Sequence, residues 1–329
     1  HVLFVDKGPG AIADILRKPE NEVRALLNSG RRKMREARSR RKSPFVDRTV
    51  YANWNAMMVV SYFEAFKAFR REDCRSFGLK SLDLILHEHR SSDGLITHRP
   101  SSVAQEAFLD DQVETAQALL SAFEVTGDRQ YETRSVSLME KTLELFWDGQ
   151  AGGFFDVPRN HRTVGALSVP NKPIQDSPTA SANAVGISIL TRLAILTENS
   201  SFRDFAEKTL LAFAGTVKDS GLFGATYFRA LDEFLNPPPH VLILTDETDE
   251  LGERLFRKAL AAYRPGTIVT RQRPNAAVEL PATIKAAASS YSKPVAYVCT
   301  NFTCAPPVFD ELQLETTIKD FARPANSLK

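Results

Sequence analysis

Cysteine is scarce in this chain, with three in 329 residues, and that excludes a disulfide framework as the source of its stability. The CxxC pair of thioredoxin chemistry is absent, as are the GxSxG elbow of a serine hydrolase and the HExxH helix of a zinc protease. His87 and His89 flank Glu88, but a spacing of two sends helical side chains in different directions. No glycine-rich phosphate loop follows a strand pattern, and TDETDE after residue 244 offers acids where a nucleotide phosphate needs backbone donors. Cofactor and metal are therefore both expected to be absent. Long apolar runs are missing too, which removes a membrane span and a signal helix and leaves the cytoplasm as the expected compartment. NFT at residues 301–303 then has no secretory context for glycosylation.

Excess charge is missing as well: the formal net charge is +2, so nothing draws the whole chain to nucleic acid. One local exception is RRKMREARSRRK, residues 31–42, with eight basic residues and one acid. Such a run could hold a phosphate-bearing partner, but it carries no interleaved aromatics to stack on bases, and it reads rather as a solvated helix face or as packing against a part of the protein absent from this chain.

What the chain does have is 43% apolar residues, 21 phenylalanines and a repeated helical hairpin. NWNAMMVVSYFEAFKAF turns at RRED into CRSFGLKSLDLILHE; LDDQVETAQALLSAFEV turns at TGD into RQYETRSVSLMEKTLELF; TASANAVGISILTRLAIL turns at TENS into SFRDFAEKTLLAFAG. Apolar residues three or four apart put one stripe on each helix, and short turns make partners antiparallel. Glycine-bearing excursions of unequal length follow each pair: SSDGLITHRP, then DGQAGGFFDVPRNHRTVGALSVPNKPIQDSPTA, then KDSGLFGATYF. FFDV within the second predicts a short hairpin strand.

These signals predict a mainly α fold, a helical-hairpin (α/α) toroid. Residues 1–43 give an edge strand at HVLFVDKG and a basic helix weakened by Gly30, residues 44–236 the hairpins, and residues 237–329 a small α/β appendage with a closing helix. Within the appendage Cys299 and Cys304 are expected as thiols packed around a turn, with a disulfide open to them only at a Cα separation of roughly 4.4–6.8 Å. Cys74 reads as a small core residue.

Chemistry-bearing residues gather at hairpin starts. PFVDRTVYANWN holds Asp47, Tyr51, Trp54 and Asn55; FLDDQ holds Asp110, Asp111 and Gln112; GGFFD holds Phe154, Phe155 and Asp156; QDSPTASAN holds Asp176, Ser181 and Asn183. Carboxylates beside aromatic faces suit a carbohydrate, the aromatics taking apolar sugar faces and a carboxyl pair dividing acid and base work. Asp110 and Asp111 point apart on a helix, so the catalytic pair is expected among Asp47, Asp111 and Asp176, with Tyr51, Trp54, Asn55, Gln112, Phe154, Phe155, Ser181 and Asn183 around a substrate. The same aspartates equally fit helix caps or a turn, and Trp54 fits a core. His98 and His161 are the acid–base histidines that an epimerase would need.

Taken in order, REARSRRKSPFVDRTVYANWNAMM, FLDDQ, FWDGQAGGFFD, NKPIQDSPTASANAVGISILTRLAILT, HVLILTD and YVCTNFTCAPPV resemble the C-terminal part of a family of bacterial YyaL-type proteins and animal spermatogenesis-associated proteins, often called thioredoxin domain-containing. The resemblance covers nearly all of the chain. It implies a helical toroid like that of six-hairpin glycosidases and sugar epimerases, preceded in the whole protein by a thioredoxin-like domain that would be this chain's partner, and it carries Asp47, Trp54, Asn55, Asp111, Gly153, Phe154, Asp176, Ser181, Asn183 and both late cysteines across by motif. Thr49, Ala56, Gln112 and Ala182 depart from the lysine, glycine, tyrosine and glycine common in relatives. The functions in view are a carbohydrate-active or carbohydrate-binding toroid, a sugar isomerase like N-acylglucosamine 2-epimerase, and a non-enzymatic module serving the thioredoxin-like domain.

Overall fold

The computed structural model describes residues 4–103, 106–160, 170–246, 248–262, 264–274, 293–300 and 303–321, in two compact units, residues 1–49 and 50–329. In the first unit α1 (Pro9–Leu16) packs on α2 (Glu20–Ser39). Glu20 and Glu22 favour the start of α2, and the helix runs through Gly30 unbroken. Residues 4–6 of the expected edge strand are not in a strand, and the rest of its apolar run, residues 1–3, lies outside the described residues.

Three hairpins lead the second unit: α3 (Ala52–Phe69) with α4 (Glu72–Glu88), α5 (Leu109–Thr126) with α6 (Arg129–Phe146), and α7 (Ala182–Thr197) with α8 (Ser200–Val217). Gly127 ends α5 at φ 75°, a left-handed turn suited to glycine, and Asp128 opens α6 by accepting from Gln130 N. α5 lies against α3 and α7, so these helices form an inner layer and α4, α6 and α8 an outer one. Inner and outer positions differ as burial demands: nearly every residue of α5 is buried, whereas α6 buries one stripe. Because each inner helix is separated from the next by one antiparallel return, the inner N-termini share one rim.

The third excursion was expected to be a loop throughout. Instead residues 225–235 form α9 (Ala225–Leu235), which buries Tyr227, Ala230 and Phe234 against α7 and α8. The predicted FFDV strand reduces to a single antiparallel bridge between Trp147 and Phe154.

β1 (His240–Leu244) pairs in parallel with β2 (Ile268–Gln272) and antiparallel with β3 (Val295–Thr300), which pairs with β4 (Thr303–Cys304), giving the order β2-β1-β3-β4. α10 (Glu250–Ala261) and α11 (Glu311–Asp320) cover one face of the sheet through Val241, Ile243, Val298, Leu255 and Leu314. β2 also lies against α5 and α10 against α3, so sheet and hairpins belong to one unit.

Cys299 and Cys304 stand opposite each other in the β3–β4 register and are joined as a disulfide with Cα atoms 4.0 Å apart, correcting the expected thiols. Antiparallel pairing of β3 with β4 brings the two together. Cys74 is a free, buried thiol.

One close approach fixes α10 on β1. A Cβ at Gly252 would sit 1.8 Å from Thr245 Oγ1. Gly252→Ala is therefore expected to cost about 2–3 kcal/mol by overpacking, read from urea unfolding; a loss under about 0.5 kcal/mol would mean that Thr245 simply turns away.

Candidate functional site

At the shared rim α3 and α5 meet the first excursion, and Asp111 ties the three together. Its carboxylate is fully buried and accepts from Phe108 N (3.1 Å), Asn53 N (3.3 Å) and His98 Nδ1 (3.0 Å). The first of these caps α5 and the second holds the start of α3. The third fixes a proton on Nδ1 of His98, and this hydrogen bond raises the imidazole above its ordinary pKa against the opposing effect of burial. His98 keeps its ring partly exposed between Tyr51 (4.7 Å) and Phe108 (5.1 Å), and Trp54 packs edge-on against Tyr51 at 5.2 Å.

Asp110, one residue earlier, points elsewhere on the helix and is half-buried. Burial first, then the charges of Asp111 and Asp156, push its carboxyl up to about 6, while His98 pulls it down. Asp110 and His98 thus lie close enough to feel each other's charge. One turn further along α5, Glu114 is 5% exposed and pushed up to about 7 by burial and by Asp110, with Arg229 of α9 opposing the shift. An i, i+4 spacing places Asp110 and Glu114 on one helix face.

Asp176 takes Ser181 N on one oxygen and Thr226 N on the other, both at 2.8 Å, and so joins the starts of α7 and α9. Asp47 is exposed in the first unit, holding Thr49 through its backbone N (2.9 Å) and hydroxyl (2.6 Å), hydrogen bonds that lower its pKa. The expected catalytic trio therefore divides into two helix-start anchors and an exposed turn.

Several expected substrate-binding residues make contacts within the fold itself. Gln112 is fully buried and spends its amide on Ile96 N (2.9 Å), Ile96 O (2.7 Å) and Phe108 O (2.9 Å), clamping the first excursion to α5. Asn183 does the same for the second, accepting from Phe154 N (2.7 Å) and donating to Phe154 O and Pro173 O (both 2.9 Å). Phe154 is core, packed on Trp147, and Ser181 caps α7 through Ala184 N. Asn55 donates to Tyr51 O, and Phe155 lies under Lys172 Nζ at 5.1 Å. Trp54 is 56% exposed, which removes it from the core and leaves it, with Tyr51, at the rim. His161 lies outside the described residues.

Glu114 and Asn53 were missed. Glu114 sits inside the apolar run of α5, and its signal was the i+4 spacing from Asp110; Asn53 had no signal beyond lying beside Trp54. Among the described residues no His, Cys, Asp and Glu cluster is placed to hold a metal, and no helix is long and apolar enough to cross a membrane.

Hairpins in two layers with a small mixed sheet, carrying buried carboxyls at one rim, make this a mainly α protein of the helical-toroid class. No family model matches the chain. By sequence it is similar to human spermatogenesis-associated protein 20, 26% identical over 310 residues, which are 89% of this chain and 39% of that protein. It is also similar to an uncharacterised Caenorhabditis elegans protein, 21% identical across 91% of this chain and 42% of the relative. The chain thus spans about two-fifths of the length of these relatives. Among solved structures it is similar to a GH76 α-mannanase of Bacteroides thetaiotaomicron, with TM-score 0.48 and 14% identity over 67% of this chain and 59% of that one. A cellobiose 2-epimerase of Bacillus thermoamylovorans gives TM-score 0.44 and 9% identity over 53% and 47%.

Proposed function

We propose that the rim of α3 and α5 is a saccharide-directed acid–base site in which Asp110 and His98 exchange protons with the substrate. The observation that carries this reading is the pairing of a half-buried carboxyl, raised to about 6, with an imidazole held by a buried carboxylate. Between those two proton affinities Asp110 is ionised and His98 is charged, a base and an acid that feel each other's charge. Such a pair can take a proton from the carbon beside a sugar carbonyl and return one to it. The same groups can also protonate a glycosidic oxygen while activating water. Asp111 is a positioning residue, and Tyr51 with Trp54 offers aromatic faces to a pyranose.

Incubation of the chain with reducing disaccharides and α-mannooligosaccharides in deuterated water separates the two outcomes: label at carbon for isomerisation, shorter products for hydrolysis. Asp110→Asn is expected to lower turnover by about 100-fold or more, with a bell-shaped pH profile whose acid limb lies near pH 6. Turnover unchanged in Asp110→Asn and His98→Gln, or no saccharide bound at millimolar concentration, would remove the reading.

A second reading has its own observation. Trp54 and Met58 on α3 and Phe77 and Leu84 on α4 are each more than half exposed, a larger apolar display than a solvated hairpin needs. That stripe suits a docking partner, the thioredoxin-like domain implied by the sequence resemblance being the one in view, and would operate with or without catalysis at the rim.

A further inference from the structure

Within the first unit the second half of α2 stands bare. α1, roughly 12 Å long against roughly 30 Å for α2, covers the start of the longer helix, where Ala13 and Val23 are buried. From Arg31 to Lys42 every residue is exposed, and a Cβ at Gly30 would meet no atom within 4 Å.

This bare stretch carries eight basic residues and one acid. Arg32 lies 3.9 Å from Glu36, and among the described residues none of the other seven basic side chains has an ion pair. A solvated helix face interleaves its signs, as α10 does, where Arg254 meets Glu311 at 2.8 Å and Arg257 pairs with Glu253. In α2 the helical spacing sets like charges together instead: Arg31 with Arg35, Arg32 with Arg35, and Arg35 with Arg38. The helix dipole favours Arg38 in the last turn and does nothing for the others. Such a self-repelling array is relieved by an extended anionic surface.

The apolar residues decide which surface. At about 100° per residue, Leu26, Gly30, Met34 and Ala37 share one arc of roughly 80°, and no charged residue of α2 falls within it. Arg31 and Arg38 border that arc on one side, Lys33 and the helical C-cap Arg40 on the other. Leu26 and Met34 are at least half exposed, and shortly after the basic run Phe45 is 91% exposed with Val46 exposed beside it. An uncharged stripe between two basic flanks lets a helix lie in a membrane surface, its apolar side chains at the headgroup boundary and its cations on lipid phosphates and carboxylates. Nucleic acid has no use for the stripe, and residues 31–42 hold no aromatic to stack on bases.

We infer that α2 docks on an anionic phospholipid bilayer, with Met34 and Phe45 inserted at the interface and the basic flanks on the headgroups. The attachment is peripheral, since no helix among the described residues is long and apolar enough to cross. It uses no residue of the rim and is independent of the acid–base reading there.

Co-sedimentation of the whole chain with vesicles tests it. At about 0.1 M salt the chain is expected to bind phosphatidylcholine vesicles containing about 30 mol% phosphatidylserine, and to bind pure phosphatidylcholine at least about 50-fold more weakly. Raising the salt to about 0.5 M should cut the anionic binding by about 10-fold or more. Arg31→Gln, Arg35→Gln and Arg38→Gln together should weaken it by about 100-fold, at about 5-fold per basic residue. Met34→Ser with Phe45→Ser should weaken it by about 10-fold while leaving retention on heparin, which reads charge alone, unchanged. These side chains are all exposed, so each variant should keep the circular dichroism of the unaltered chain. No binding to the anionic vesicles, equal binding to the neutral ones, or binding unchanged in the triple arginine variant would each overturn the inference. So would tighter binding, at equal salt, to a nucleic-acid duplex of about 20 base pairs that the Met34 and Phe45 changes leave alone, which would assign α2 to nucleic acid. Asp110→Asn should bind vesicles as the unaltered chain does, so failure at either site is read separately.

Discussion

Glu124→Ala is expected to cost about 3–5 kcal/mol of folding stability, the range for removing one partner of a buried ion pair. Glu124, on α5, is 2% exposed; one oxygen accepts from Lys67 Nζ of α3 at 2.7 Å and the other from Arg192 of α7. A single carboxylate therefore joins three consecutive inner helices near their C-terminal ends. Its removal leaves two cations facing each other across a space with little water. Lys67 retains Glu64 at 2.8 Å, but that carboxylate is 60% exposed and its attraction is screened. The pKa of Lys67 reports the same balance: burial pulls it down, and Glu124 followed by Glu64 overcomes this and raises it. Glu64→Ala is the matched control, expected to cost under about 1 kcal/mol. Urea unfolding of both variants decides the matter, and equal losses would mean that the Glu124 network is as solvated as a surface pair.

How much of this was legible in the sequence depends on what kind of contact a residue makes. The hairpins were, because apolar spacing of three or four records the buried stripe directly, as in Val113, Ala116, Leu119 and Leu120. α9 was not, since KDSGLFG supplies turn residues immediately before it and the helix is specified by what Tyr227, Ala230 and Phe234 pack against. Gln112 and Asn183 illustrate a deeper ambiguity at the candidate site. Amides at helix starts beside glycine-bearing loops have the composition of ligand contacts, yet the same donors and acceptors clamp loop backbone, and only the partner distinguishes the two. The disulfide was hidden for a similar reason: spacing alone does not give the register that sets Cys299 against Cys304. Asp110 and Asp111 were separable in advance, because adjacent residues diverge by about 100° around a helix. What could not be read was which of them would be consumed by backbone N–H groups.

Glu114→Gln is expected to make the chain more stable at alkaline pH, by as much as roughly 3 kcal/mol, since burial pushes this carboxyl from 4.5 up to about 7. The sign follows from proton counting. A group whose folded pKa is raised gives its full contribution below the unfolded value, and loses it as pH rises through the folded one. Between about pH 4.5 and 7 the folded chain keeps a proton that the unfolded chain has released, so stability falls with rising pH. Gln carries no such proton, and the variant should match the unaltered chain near pH 4 and exceed it near pH 8. Asp110, raised to about 6, adds a decline of the same sign that persists in the single variant and should disappear with Asp110→Asn alongside it. Arg229 opposes the shift at Glu114, so neutralising it with Arg229→Gln should steepen the loss rather than relieve it. Thermal unfolding from pH 4 to 8 reads all four chains. A flat difference between Glu114→Gln and the unaltered chain would mean that water reaches this carboxyl. The desolvation that also holds Asp110 near 6 would then be in doubt, and with it the proton affinity on which the proposed acid–base pair depends.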